Sequence, residues 1–124
     1  MSNVIYTPDA PEAIGPYSQA IVAGGLVFTS GQIPINPATG NIEAVTIEEQ
    51  TEQVSKNISA VLAAAGTSIE KVVKTVCFLS DMNDFAAFNA VYAKYFTGKP
   101  ARSCVAVKTL PKNVLVEVDT IAEV

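Results

Sequence analysis

The run VVKTVCFLS, residues 72–80, constrains the fold most, because both of its alternating sets are apolar or β-branched. Successive side chains of a strand point to opposite faces, so such a run belongs inside a sheet with cover on both sides. That cover must come from the remainder of 124 residues, a length that suits one domain able to remove roughly two thirds of its unfolded surface from water. The chain has the means, being 49% hydrophobic and only 16% charged, a balance that excludes a disordered polymer. No stretch approaches the ~18 apolar residues of a membrane span.

Punctuation along the chain predicts the partners of this strand. QAIVA (19–23) and LVFTS (26–30) flank Gly24-Gly25, the signature of a tight hairpin whose turn needs positive φ. NPATGN (36–41) reads as an exposed turn. Thr46 and Glu49 form a capping-box pattern at the start of a helix, in which Ile47, Thr51, Val54, Ile58, Val61, Leu62 and Ala65 recur at three- and four-residue steps until Gly66. A second helix over about 83–96 gathers Phe85, Phe88, Tyr92, Tyr95 and Phe96 before Gly98 and Pro100 stop it. Two strands, about 101–109 and 113–123, close the chain around TLPKN.

The order is β-β-α-β-α-β-β, and two helices can cover one face of a sheet of four to six strands. The other face needs a different solution, because Cys77, Leu79, Val105, Val107, Val116 and Val118 cannot all point toward two helices. A self-association surface is the expected answer, and a small closed barrel is the alternative. No repeat or domain boundary interrupts residues 1–124, so a single domain is expected.

Composition also excludes chemistry. The chain has no histidine, which removes Ser-His and Cys-His nucleophile pairs, His-ligated zinc and the commonest general base. A net charge of −4 with eight Lys and Arg argues against a nucleic-acid footprint. Cys77 and Cys104 lie in apolar runs without a CxxC and read as reduced core thiols. There is no Walker motif, GxGxxG, EF-hand or metal-ligand cluster. The N-terminal stretch lacks the pattern of a targeting signal, so a cytoplasmic location is expected.

Within PARSCVAV (100–107), alternation sets Arg102, Cys104 and Ala106 on one face and Ala101, Ser103 and Val105 on the other. Guanidinium offers a rigid fork of donors that matches a carboxylate, and small neighbours leave room for that carboxylate to belong to a ligand. An ion pair with Glu117 or Asp119 of the last strand is the competing reading. In VLVEVDTIAEV, Leu115, Glu117, Asp119 and Ile121 share a face, and a carboxylate in such an apolar strand is rarely idle. Glu117 either activates water or neutralises Arg102. Cys104 has no histidine to activate it and reads as a small hydrophobe. Tyr17 and Ser30 offer hydroxyls to a small polar ligand, and Gly31 permits close backbone approach. Asn89 is a polar residue of the second helix, with a solvent-facing position as the plainer reading.

Taken together, GPYSQA (15–20), TSGQIP (29–34), NDFAAFNAVYAKYF (83–96), PARSCVAV and VEVDTIA (116–122) resemble the RidA (YjgF) family of reactive-intermediate imine deaminases, in order and over essentially the whole chain. The resemblance implies a chorismate-mutase-like α/β (α+β) subunit, with one mixed sheet and two helices on one face. It implies a homotrimer with three inter-subunit clefts and no cofactor or metal. It further implies hydrolysis of 2-iminobutanoate, 2-iminopropanoate and related 2-imino acids, products of pyridoxal-phosphate dehydratases, to 2-oxo acids and ammonia. On matched positions, Arg102 would grip the substrate carboxylate and Glu117 would stand near the attacking water. Cys104, Tyr17, Ser30, Gly31 and Asn89 would line the cleft. The TGKP loop (97–100) is shorter than in some relatives, and Asp119 stands where relatives often have Glu. A non-catalytic sensor of 2-oxo acids would use the same cleft.

Overall fold

Gly24 and Gly25 adopt φ of +60° and +79°, the left-handed pair that a two-residue turn needs to match the twist of its flanking strands. They join β2 (Ala20–Ala23) to β3 (Leu26–Thr29), as the sequence predicts. The computed structural model describes residues 2–124. The remaining elements are β1 (Asn3–Ile5), α1 (Ile47–Ala64), β4 (Val72–Leu79), α2 (Phe85–Tyr95), β5 (Ala101–Ala106) and β6 (Val116–Glu123).

The six strands form one open mixed sheet in the order β1-β2-β3-β6-β4-β5. The β4–β5 pair is parallel and every other pair is antiparallel. A parallel pair needs a crossover, and α2 supplies it. This is the single-domain α/β fold expected from the sequence, not a closed barrel. Three-residue β1 was not anticipated, because NVI is too short to show a period, and it is recognisable only by its pairing with β2.

α1 is bounded by local chemistry. Thr46 Oγ1 accepts from the Glu49 amide at 3.1 Å, and the Glu49 carboxylate accepts from the Thr46 amide at 3.2 Å. At the other end Gly66 turns left-handed at φ +84°, letting the Gly66 and Thr67 amides reach the carbonyls of Ala63 and Leu62. A short 3₁₀ turn at Met82–Asp84 delays α2, and Pro111–Asn113 forms another before β6.

Register assigns every strand residue to a face. Arg102 pairs with Thr75, which pairs with Thr120; Cys104 pairs with Cys77, which pairs with Val118. This face carries both helices, and its core joins Val54, Ile58, Val61 and Leu62 of α1 and Phe88 of α2 to Cys77, Leu79, Val116 and Val118. Complete burial of a side chain such as Phe88 contributes roughly 1.5–3 kcal/mol. The opposite face carries Ile21, Phe28, Val76, Phe78, Val105 and Ile121 around Glu117 and Asp119. Among the described residues no element covers it, and Phe28 and Val105 stay 41% and 47% exposed.

An uncovered apolar face therefore exists, and the named positions do not all turn toward the helices, since Val105 lies on it. Cys77, Leu79, Val116 and Val118 all face the helices. Only pairing across three strands fixes which of two alternating sets turns inward. Among the described residues no helix is long and apolar enough to cross a membrane.

Candidate functional site

Glu117 lies on the open face of β6 and borders a concavity of about 550 Å³ with Tyr17, Ser30, Gly31, Ile33 and Lys112. Burial raises its pKa above the ordinary carboxylate value, and the like charge of Asp119 adds to the shift. Ser30 donates its hydroxyl to the Ser18 carbonyl at 2.6 Å, which leaves the oxygen's lone pairs to accept from a ligand. Tyr17 is 54% exposed at the rim.

The walls of this concavity are loops held by buried amides that the sequence does not single out. Gln19, 3% exposed, accepts from the Thr7 amide at 2.7 Å and donates to the carbonyls of Thr7 at 3.0 Å and Pro11 at 2.8 Å. Asn57 donates from α1 to the carbonyls of Ile33 at 3.2 Å and Ile35 at 2.9 Å. Asn57 is one of four buried polar residues of α1, with Gln50, Thr51 and Ser55, and its neighbour Ile58 on the buried side is the available signal. Lys112 was also missed; it and Asn113 hold φ of +56°, a conformation that costs a non-glycine residue of order 1–3 kcal/mol.

Arg102 faces the other way. Its Nη1 donates to Asn89 Oδ1 at 2.7 Å, and its guanidinium carbon lies 4.8 Å from the Tyr92 ring centroid and 5.4 Å from that of Phe85. Tyr92 is fixed in turn by a 2.8 Å hydrogen bond to the Thr75 hydroxyl. The guanidinium is thus held by an amide and two rings. It lines a second concavity of about 520 Å³ with Asn89, Tyr92, Phe96, Thr97 and Lys99. The plainer reading of Asn89 as a solvated polar residue gives way here, because α2 brings it over β5.

Arg102 and Glu117 therefore occupy opposite faces of the sheet, which rules out an ion pair of Arg102 with Glu117 or Asp119 within the chain. The sequence-derived site residues fall into two half-sites: Tyr17, Ser30, Gly31 and Glu117 in one, Asn89 and Arg102 in the other.

Cys104 follows Arg102 on the helix-side face, half-buried and bordering neither concavity. Burial raises its thiol pKa, an effect partly offset by the Arg102 charge, and burial pushes neighbouring Cys77 up to about 12. Both thiols stay protonated near neutral pH, unlike a nucleophilic cysteine. Cys104→Ser is accordingly expected to keep activity within a few-fold of the parent in a steady-state assay. Mass spectrometry of the protein during turnover is expected to find no adduct on that sulfur. Among the described residues no cluster of three or more His, Cys, Asp or Glu side chains is placed to hold a metal ion.

Residues 7–124 match a family profile described as Endoribonuclease L-PSP. A putative regulator AldR of Lactococcus lactis is 55% identical over 123 residues, covering 98% of each chain. A crystal structure of a Yersinia pestis protein of unknown function from the conserved Rid protein family superposes with a TM-score of 0.97, at 53% identity and full coverage of both chains. A crystal structure of Escherichia coli TdcF with bound serine superposes with a TM-score of 0.94, at 43% identity and 98% coverage of each.

Proposed function

We propose, from the premise that this chain belongs to the endoribonuclease L-PSP family of Rid proteins, that it hydrolyses small 2-imino acids such as 2-iminobutanoate and 2-iminopropanoate to 2-oxo acids and ammonia. The observation that carries this reading is the presentation of Arg102. Its guanidinium is oriented by Asn89, Tyr92 and Phe85 rather than neutralised by a carboxylate, so an anion from outside the chain fits it. Serine bound to the TdcF relative is a 2-amino acid of comparable size, and it supports a carboxylate-bearing ligand here.

The two half-sites meet only if different copies contribute them. A homotrimer that buries the open apolar face would set Arg102 of one copy against Glu117, Ser30 and Tyr17 of the next, forming three clefts. In each, Arg102 holds the carboxylate and Glu117 takes a proton from water as its oxygen bonds to the imine carbon. Glu117 returns that proton to the imine nitrogen, giving a carbinolamine. The carbinolamine hydroxyl then gives its proton, through Glu117, to the amino group as the C–N bond breaks, so ammonia leaves and the carbonyl forms. An imine is already electrophilic, so positioning and one proton acceptor suffice without a cofactor or covalent nucleophile.

A second reading, a non-catalytic 2-oxo-acid sensor, is favoured by the name of the AldR relative. It needs Arg102 but has no use for a base at Glu117. A ribonuclease is poorly supported despite the family's description, since the chain is acidic and lacks histidine. The deciding test adds the purified protein to a threonine dehydratase reaction and follows ammonia and 2-oxobutanoate. Faster release is expected, with a solution mass three times 13.0 kDa. Equal amounts of Arg102→Ala and Glu117→Gln subunits, unfolded and refolded together, are expected to regain activity through clefts that draw one intact residue from each copy. A monomer at micromolar concentration, or no regain, would refute the composite cleft.

A further inference from the structure

Gly31 is a glycine for lack of space, not for backbone conformation, since its φ lies outside the left-handed region that Gly24, Gly25 and Gly66 occupy. The Gln32 and Val118 backbones pair reciprocally, at 2.8 and 3.2 Å, which sets Gly31 opposite Asp119 on the open face with Glu117 diagonal to it. A methyl group at Gly31 would overlap the Glu117 Oε2 atom and stand 2.9 Å from Cδ and 3.2 Å from Cγ. The Glu117 carboxylate thus fills the volume that any other residue at position 31 would occupy.

We infer that Gly31 is a positioning residue for Glu117: its missing side chain is the slot that seats the carboxylate against the strand. Resting on the proposed role of Glu117 as base, this moves Gly31 from lining the substrate to aiming the proton acceptor. The carboxylate so seated borders the concavity in which water and imine would meet. Seating it there also removes it from bulk water, in accord with its raised pKa. Alanine at Gly31 would force the side chain to rotate outward, since both Oε2 and Cδ lie closer than a Cβ tolerates and Cγ is in tight contact behind them.

The test is a double-mutant cycle with shortening at the other end of the contact. Gly31→Ala is expected to lower kcat at least about tenfold while KM and 2-oxobutanoate binding change less than about twofold. In a Glu117→Ala background, which leaves nothing beyond Cβ to meet the added methyl, the same change is expected to cost less than about twofold in the residual activity. A further readout does not depend on deamination: the Glu117 carboxyl, followed by ¹³C NMR, is expected to titrate nearer the ordinary carboxylate value in Gly31→Ala than in the parent. An equal loss in both backgrounds would make Gly31 a substrate contact and overturn the inference, as would an unchanged Glu117 titration. If Glu117→Gln proves fully active, the base assignment fails, but the NMR shift still reports on the seat.

Discussion

Arg102→Ala is expected to lower kcat/KM for 2-imino acids by at least about a hundredfold, because two charge-assisted hydrogen bonds at roughly 1.5–3 kcal/mol each would be lost. Every ~1.4 kcal/mol is a factor of ten. Arg102→Lys is expected to cost about tenfold or more. Lysine keeps the charge, but its point ammonium cannot donate to Asn89 and to both oxygens of a carboxylate in one plane, nor lie over Tyr92 and Phe85 as a planar fork does. Stability is expected to fall modestly in Arg102→Ala, by about 1–2 kcal/mol, through the lost ring contacts and the lost bond to Asn89. Imine deamination, 2-oxobutanoate binding and chemical unfolding on both variants check these outcomes. An Arg102→Lys enzyme as active as the parent would remove Arg102 from the site, and an unfolding loss far above that range would make it a structural residue.

Glu117→Gln is expected to lower kcat by about a hundredfold, the scale of a positioned general base, with KM and 2-oxobutanoate binding within about threefold. The parent's activity should fall on the acid side of a pKa higher than an ordinary carboxylate's, since burial first and Asp119 second penalise the charged form. That limb should vanish in the variant. The same shift acts oppositely on stability. A carboxylate whose folded pKa exceeds its unfolded value lends stability that is fully present below the unfolded pKa of ~4.3 and is lost as pH rises through the folded one. Unfolding free energy should therefore decline with rising pH across that window in the parent and decline less in Glu117→Gln. Asp119, also raised by burial, keeps part of the slope. Equal activity of Glu117→Gln would favour the sensor.

Features set by neighbours a few residues apart were legible in the sequence. The Thr46–Glu49 capping box, the Gly66 stop, the Gly24-Gly25 hairpin and the alternation that separates Arg102 and Cys104 from Ser103 and Val105 all appear as predicted. Each rests on φ preference, strand parity or one-turn spacing, which a short window contains. The candidate residues themselves came from chemical type and from family resemblance. Their arrangement did not, because alternation says which residues share a face but not which face two separate strands have in common. β6 enters between β3 and β4, and its pairing with β4 aligns Val118 with Cys77 and Glu117 with Phe78; one residue's slip would exchange the faces. That register turns Glu117 away from Arg102, removes the internal ion pair and divides the site into two halves. The placement of Asn89 over Arg102 and the seat of Glu117 on Gly31 were decided in the same way. Both are contacts between elements far apart in the chain, set by how the whole sheet and its helices pack, and no local preference encodes them.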